Sequence, residues 1–500
     1  MNEVSRALVN SSLWLLLAKT TQRSLGLISV MILARLLVPD DFAVVAISAL
    51  ILYFCEALSA TGSEAYLVRK DNLSEEDASS AWTLDMTLKG CVFILLNLAI
   101  PSIVEFYGDE RLQPVLLAIS FILLINAIKS PGLVYLKRQL RYQGIVVLMV
   151  TQKILAFIVT VGLAYSLQTY WALVIGDLVA ALVLAVGSYF VHPFRPRLAR
   201  SGWKEQWWFS RWLLLRANVG FTKAQIDAFF VTKLFSPELI GAYYVTRNLS
   251  VIPSNDIIAP AVEPLLAPLA RSRHEPEVFS AQMQKVFLLI TALVAPLAAF
   301  MIAMPEALID FMFGKKWSAA YSLLPPLTVV FVTIALGQVI NQAFMAMGRV
   351  RTLLAYEIVS LAVLLLVFTL VRGESIDIFV SYRAVFAALL TGTLFLYVSK
   401  VASLPVLRIL SRALPLVVLS ALVGFSVSQI EPLLSPGSSS LRLIPLGVLY
   451  VGIYGILALG LIAIFGRVWS EYAFIQTLLE DRLYPVFGRV KRLIQKTRLK

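Results

Sequence analysis

The sequence predicts an all-α polytopic membrane protein of about 14 transmembrane helices, arranged as two six-helix lobes plus two C-terminal helices. Three observations predict it. The 500-residue chain is 59% hydrophobic and only 15% charged, with a mean hydropathy of +0.82, a balance that an ordinary soluble domain does not hold. Apolar stretches of about 20 residues, the length that crosses a hydrocarbon core, recur along nearly the whole chain with short connections between them. A basic segment then separates the first six stretches from the rest.

The expected spans are 10–33, 42–63, 82–104, 112–135, 144–167, 171–191, 212–232, 239–268, 286–309, 321–346, 352–371, 378–398, 413–430 and 442–465. Nothing before Leu8 reads as a separate signal peptide, so the first stretch is expected to be a permanent helix. With the amino terminus inside, 27 of the 43 Lys and Arg residues fall in cytoplasmic segments and a handful outside. That asymmetry places both termini in the cytoplasm, since basic residues accumulate on that side. It also accounts for the net charge of +13, which in a soluble chain would have pointed to nucleic acid.

The organisation follows from these spans. Residues 1–191 form an N-terminal six-helix lobe, and 192–211 a basic cytoplasmic interlobe loop carrying Arg195, Arg197, Arg200, Lys204 and Arg211. Residues 212–398 form the C-terminal six-helix lobe, 399–466 two additional helices, and 467–500 a basic cytoplasmic tail. Trp203, Trp207, Trp208 and Trp212 crowd the end of the loop, where indole rings suit a headgroup interface; no nucleic-acid-binding fold accompanies them. In the tail, Trp469, Tyr472, Phe474, Leu478 and Leu479 suggest an amphipathic helix on the inner leaflet.

The two lobes contain an internal echo. The segment Ala34–Ala43 (ARLLVPDDFA) resembles Thr232–Gly241 (TKLFSPELIG), displaced by 198 residues. In each, a helix ends with a basic residue, a proline opens a short turn, and an acid stands near the next helix start, where the helix dipole favours negative charge. Six spans per lobe put both copies after a first helix in the same orientation, which implies parallel repeats about the membrane normal.

Charges inside the spans are the candidate site. Lys19 and Arg23 lie four residues apart on one face of the first span; Arg216, Gly220, Lys223 and Asp227 form a stripe on the seventh. Lipid-facing charges are costly, so these faces should turn to protein or to a water-filled cavity. Lys19, Arg23, Arg216 and Lys223 are therefore candidates to hold an anionic phosphate or diphosphate headgroup, arginine as a directed donor and lysine as a flexible charge. Asp85, Asp177, Asp227 and Asp256 are candidates either for ion coupling or for charge pairing, and Asp85 has Lys89 four residues on as an ordinary partner. Glu56, Arg247 and Arg383 are further charges within spans. Pro253, Pro260, Pro264 and Pro268 break the eighth span beside Asn255 and Asp256, either to shape a transport path or because the polar groups satisfy the broken backbone. Gln338, Asn341 and Gln342 on the tenth span are cavity polar candidates, for a sugar or for a neighbouring helix.

Enzyme signatures are scarce. The chain has no HExxH, no GxxxxGK and no GxSxG, its carboxylates supply no nameable acid–base pair, and His192 and His274 read as interfacial or surface residues. Cys55 and Cys91 sit in apolar stretches and read as small buried side chains, with no metal spacing. No catalytic or metal residue is expected, and no cofactor beyond coupling to protons or sodium ions.

Two motifs then carry a resemblance. Leu36-Leu37 and Pro39 to Phe42 in Ala34–Phe42, an ARLL-PxxF pattern, and Leu136–Tyr142 (LKRQLRY), an LxRxLxF pattern with Tyr142 in place of phenylalanine, resemble the polysaccharide transporter branch of the multidrug, oligosaccharidyl-lipid and polysaccharide exporter superfamily, in particular Wzx-type lipid-linked oligosaccharide flippases. The resemblance implies a non-enzymatic bacterial inner-membrane transporter that moves a polyprenyl diphosphate-linked glycan from the cytoplasmic to the outer leaflet by alternating access. It further implies membrane lipids, a polysaccharide polymerase and export machinery as partners. The alternatives are a multidrug or small-cation antiporter, which would favour an accessible acidic cavity, and a membrane glycan polymerase or ligase, which would need a reactive constellation.

Overall fold

The computed structural model describes residues 3–70, 72–262, 266–430, 439–477 and 479, and these are helical with no strand among them. The first half of the chain runs through α1 (Glu3–Leu36), α2 (Pro39–Leu58), α3 (Ser63–Arg69), α4 (Glu75–Tyr107), α5 (Leu112–Ala127), α6 (Leu133–Arg138), α7 (Gln143–Leu167), α8 (Trp171–Val191) and α9 (Trp203–Leu234). It continues through α10 (Pro237–Pro253), a π-helical turn (Ser254–Ile258), α11 (Ala259–Val262), α12 (Leu266–Arg271), α13 (Pro276–Ala303) and α14 (Pro305–Met312). After a 3-10 turn come α15 (Leu324–Ala346), α16 (Val350–Leu370), α17 (Ile376–Val401), α18 (Val406–Ile430) and α19 (Ser439–Phe465). Every expected span has a helix at its place, and among the described residues ten helices are long and apolar enough to cross a membrane. The first, fourth, seventh and eighth expected spans are absent from those ten: α1 and α9 carry interior charges, and α5 and α10, of 16 and 17 residues, are shorter than the expected spans.

Local chemistry explains the boundaries. Pro39 opens α2 with its φ already helical, and the Asp41 carboxylate accepts the Val38 N–H at 3.2 Å. At α4 the Ser74 hydroxyl accepts the Asp77 N–H at 3.0 Å while the Asp77 carboxylate accepts the Ser74 N–H at 3.1 Å, a reciprocal cap that contributes about 1 kcal/mol. Gly108, at φ 70°, ends the same helix in the left-handed conformation that glycine adopts without strain.

The chain divides into two compact units. Unit 1 comprises Met1–Val245 together with Met312–Ala319 and Glu357–Ile376; unit 2 comprises Thr246–Phe311, Ala320–Tyr356 and Asp377–Lys500. In unit 1, α7 packs on α8 and α1, α5 on α4 and α8, and α2 on α9. The two copies of the sequence echo meet here. A Cβ added to Gly241 at the start of α10 would lie 2.0 Å from the carbonyl oxygen of Pro39 at the start of α2, so the backbones approach where only glycine fits. Trp317, from the segment that unit 1 draws from far along the chain, is fully buried; its indole N–H donates to the Ala34 carbonyl at 2.8 Å, and its ring meets Phe42 edge-on at 5.1 Å. Lys316 donates to the carbonyls of Arg35 and Leu37, supplying donors that the end of α1 lacks.

Unit 2 is built on α13, which packs on α18 and α15 around a core that includes Phe287, Ile290, Phe331 and Phe344. The bend expected at Pro253 is the π turn at Ser254–Ile258; Pro264 lies outside the described residues. The apolar face of residues 467–479 is not free for the inner leaflet as expected. Tyr472 is fully buried with Leu416 and Ile462, its hydroxyl donates to the Arg412 carbonyl at 2.7 Å, and Arg412 pairs with Glu471. Residues 480–500, most of the expected basic tail, lie outside the described residues, as does Leu478. Of the two cysteines, Cys55 is buried as expected but Cys91, on α4, is exposed.

Candidate functional site

Unit 1 holds an open-sided cavity of about 250 Å³ with polar side chains in its lining. Its walls are single faces of helices. From α2 come Val45, Ser48, Ala49, Leu52 and Glu56, at the three- and four-residue intervals that align side chains, with Tyr53 beside them. The α5 face adds Ile119, Ile122 and Asn126, α7 adds Gln152, and α8 adds Val174, Asp177, Ala180, Ala181 and Leu184. The small side chains at 48, 49, 180 and 181 leave the space that larger ones would fill. Asn126 Nδ2 donates to Glu56 Oε1 at 3.0 Å, and Asp177 is exposed to the cavity.

Next to Glu56 in the chain, the end of α2 opens onto a network. The Thr61 hydroxyl donates to Asp85 Oδ1 at 2.8 Å, and Lys89 pairs with Asp85 Oδ2 at 2.7 Å. Gln206 donates to the Ser63 hydroxyl at 2.8 Å, and Lys70 pairs with Asp77 at 2.7 Å. At the other end of the unit, Arg111 forks onto Asp109 and also pairs with Asp40; its guanidinium holds the Asp109 carboxyl below the usual carboxylate range.

The charged residues predicted from sequence fall into distinct places. Lys19 is exposed and Arg23 half-buried on α1, whose main packing partner is α7: Gln22 donates to the Met149 carbonyl at 3.0 Å, and the Lys153 ammonium lies beside Gly26. Lys223 is half-buried on α9, which packs on α2, α3 and α4; Arg216 is on the same helix, its side chain outside the described residues. Asp85 is taken up by its Lys89 pair, and Asp227 is buried and accepts the Tyr243 hydroxyl at 2.8 Å. Asp177 alone of the four acids lines the cavity, while the Asp256 side chain lies outside the described residues. In unit 2, Asn255 and Asn341 are exposed, Gln342 is half-buried, and the Gln338 amide reaches Ser254 at 3.5 Å, where the polar residue satisfies the bend. Sequence reasoning missed Ser48, Tyr53, Asn126 and Gln152. The available signal was a polar residue inside an apolar span, present at all four.

Unit 2 has a different cavity, about 820 Å³, between α13, α15, α17 and α18. Its lining is hydrocarbon apart from Thr291, Thr333, Thr391 and Ser428. A second apolar groove in unit 1, about 640 Å³, lies between α2, α4 and α9.

Comparison with known proteins places these features in a context. Residues 32–322 match the family model described as "Polysaccharide biosynthesis protein". The lipopolysaccharide biosynthesis protein WzxC of Escherichia coli (strain K12) is 19% identical over 348 residues, covering 68% of this chain and 70% of its own. The teichuronic acid biosynthesis protein TuaB of Bacillus subtilis is 23% identical, over 59% of this chain and 62% of its own. The succinoglycan biosynthesis transport protein ExoT of Rhizobium meliloti is 23% identical, over 62% and 63%. The matches therefore span less than two thirds of the latter two relatives. Among solved structures, the lipid II flippase MurJ in an inward closed conformation superimposes with a TM-score of 0.71 at 13% identity, covering 90% of this chain and 98% of that one. An inward-facing multidrug resistance MATE family transporter gives 0.58 at 14% identity, covering 76% and 94%. The fold is that of these multi-pass membrane transporters.

Proposed function

We propose, from the premise that this chain belongs to the polysaccharide biosynthesis protein family, that it carries a polyprenyl diphosphate-linked oligosaccharide from the cytoplasmic to the outer leaflet of a bacterial inner membrane. The observation that carries the reading is the presence of basic residues along two long helices of unit 1 that lie where the first and seventh spans are expected: Lys19 and Arg23 on α1, Arg216 and Lys223 on α9. Hydrocarbon penalises such charges unless they meet water, protein or an anion, and a diphosphate is the anion that a glycan-carrying lipid brings. The relatives are named for lipopolysaccharide, teichuronic acid and succinoglycan, three different polymers. Because those polymers differ, our reading takes the lipid-diphosphate end, rather than the sugar, as what this chain recognises.

The route is alternating access. The headgroup is received from the cytoplasmic side, the cationic helix faces compensate its charge during the crossing, and the prenyl chain stays in hydrocarbon. The apolar cavity of unit 2, lined almost wholly by carbon, suits such a chain and rejects a sugar. The reading takes both termini as cytoplasmic, supported by the excess of Lys and Arg in the segments that this orientation puts inside. A polymerase and export machinery would take the product from the outer leaflet.

A second reading, a small-cation drug antiporter, draws on Glu56 and Asp177 at the unit 1 cavity. Its volume of about 250 Å³ falls below the roughly 300 Å³ at which pockets begin to hold drug-sized ligands.

The test is reconstitution into vesicles with a fluorescent polyprenyl diphosphate oligosaccharide, measuring protection of the label in each leaflet. Wild-type protein should equilibrate the label across the bilayer, and the Arg216→Ala and Lys223→Ala variants should slow it by about tenfold or more, the loss of a charged hydrogen bond of 1.5–3 kcal/mol. Glycan bond formation without transfer would favour a polymerase or ligase, and drug efflux without glycan transfer an exporter.

A further inference from the structure

We propose that the basic face formed by Arg197, Arg200 and Lys204, with Trp207 and Trp208 beside it, binds the headgroup of an anionic phospholipid of the surrounding bilayer. The proposal is independent of the transport reading, because lipid binding is measurable with no glycan present.

The backbone that carries these side chains is fixed. Residues 193–200 run without helix beside the start of α4. The Arg197 N–H donates to the Ser79 hydroxyl at 3.3 Å and the Ala199 N–H to the Thr83 hydroxyl at 3.1 Å, while the Trp203 indole N–H donates to the Ser80 carbonyl at 3.2 Å. Phe194 is buried in a cluster with Tyr66, Leu67 and Ala78. Because the main chain and Phe194 take the inward contacts, the basic side chains are left outside, and Arg195, Arg197, Arg200 and Lys204 are exposed. Arg195 folds back over the Tyr189 ring at 5.2 Å and donates to the His192 and Phe194 carbonyls. The other three do not fold back in this way. Arg200 meets the Trp203 ring at 5.6 Å, and none of the three side chains makes a hydrogen bond or ion pair among the described residues.

The local charge is one-sided. Residues 192–211 hold five basic residues and one acid, Glu205, which lies 3.6 Å from Lys70. On the adjoining start of α4, Asp77 pairs with Lys70, and neither Glu75 nor Glu76 forms an ion pair with Arg197, Arg200 or Lys204. Such a surface attracts an anion with several oxygens, and guanidinium groups suit a phosphate.

The apolar neighbours say which anion. At 1.5 Å per residue the 32 residues of α9 run about 48 Å, against about 30 Å of hydrocarbon, so a crossing leaves about 18 Å among headgroups or beyond. Lys204, Trp208, Arg211 and Leu215 recur at intervals of four, three and four, a single outward stripe; Gln206 and Ser210 on the opposite face are buried. Trp208 is 63% exposed and Leu198 74%. A soluble anion would leave these surfaces in water, whereas indole bodies with basic neighbours suit the level of lipid headgroups. A nucleic acid would need free ring faces for its bases, and the Arg211 guanidinium already covers one face of Trp208, 3.3 Å from its centroid.

The experiment measures binding of dioleoylphosphatidylglycerol and dioleoylphosphatidylcholine to the purified full-length chain in detergent by native mass spectrometry. Wild type should bind the first phosphatidylglycerol about tenfold or more tightly than the first phosphatidylcholine. Each cation beside an anionic headgroup contributes about fivefold, so the triple variant Arg197→Gln, Arg200→Gln, Lys204→Gln should reduce the preference to about twofold or less. Lys204→Gln alone removes no protein contact, so it should lower the preference about fivefold with an unchanged melting temperature; this variant answers any failure of the triple variant to fold. Trp207→Ala with Trp208→Ala should weaken both lipids alike and leave their ratio, which separates the apolar contact from the charge. Equal affinity of wild type for the two lipids overturns the proposal, as does a preference that survives the triple substitution, which would belong elsewhere on the chain. Glycerol 3-phosphate competing as tightly as the lipid would make this a site for soluble anions, and a uridine oligonucleotide bound in place of the lipid and lost in the triple variant would make it a nucleic-acid site; either result also overturns the proposal.

Discussion

The cavities of the two units are both walled by four helices, yet one is polar and small and the other apolar and more than three times as large. Unit 1 lines about 250 Å³ with two acids, two amides and two hydroxyls; unit 2 lines about 820 Å³ with hydrocarbon and four hydroxyls. Three of the four hydroxyls in the unit 2 cavity fold back on their own helix: Thr291 donates to the Phe287 carbonyl at 2.8 Å, Thr333 to the Val330 carbonyl at 2.7 Å and Ser428 to the Phe425 carbonyl at 2.8 Å. Such groups are already satisfied. The Ser48 hydroxyl is not satisfied in this way. The comparison teaches that polarity of composition and polarity of a surface differ, and that the difference lies in which donors have a local acceptor.

Several substitutions would break or sharpen this contrast. The largest effect should come from placing a charge in the apolar cavity. Val294→Asp, at a buried position on its wall, is expected to cost about 3–5 kcal/mol or to prevent accumulation of folded protein, whereas Ala181→Asp in the polar cavity should cost less. Thermal unfolding in detergent measures both, and equal losses would erase the distinction.

Next in size is a close approach between one helix's glycine and another segment's backbone in each unit. Gly241→Ala forces a Cβ to within 2.0 Å of a backbone oxygen and should destabilise by about 1–3 kcal/mol. Gly424→Ala in unit 2 meets the Ala299 carbonyl oxygen at 3.2 Å, which a small shift of α18 relieves, and should cost less than 1 kcal/mol. A reversed order in melting temperature would show that the echo contact is not the tighter of the two.

Smaller still is the acid sensitivity at the edge of unit 1. Because Arg111 depresses the Asp109 pKa, the pair contributes stability above the ordinary carboxylate value of about 4, and that contribution is lost as pH falls through the depressed folded value. Both side chains are partly exposed, so the amount is below about 1 kcal/mol. Asp109→Asn should flatten the acid limb of a stability profile slightly and leave it unchanged at neutral pH apart from that constant loss.

Much of the candidate site could be read from particular residues. Asp85 with Lys89 was legible as a pair because four residues along one helix face fix their meeting. Asp177 was visible as a charge in an apolar span, but its neighbours Glu56 and Asn126 come from helices about 50 to 120 positions away, and no spacing rule connects them. The tail shows the opposite failure. Its apolar face was legible, but whether lipid or protein covers such a face depends on what lies nearby, and Tyr472 finds Leu416 and Arg412.

The sequence by itself determined the solvent and the elements: hydropathy demands a bilayer, a backbone in hydrocarbon must satisfy itself as helix, and proline, glycine and capping acids mark where each helix starts and stops. Only the tertiary structure decided which faces enclose empty space, that Trp317 and the segment around it belong with α1, and that the two copies of the echo touch at Pro39 and Gly241. The physical reason is range. Hydrogen bonds along a helix act over four residues, whereas a cavity is the gap left between side chains whose separation in sequence has no limit.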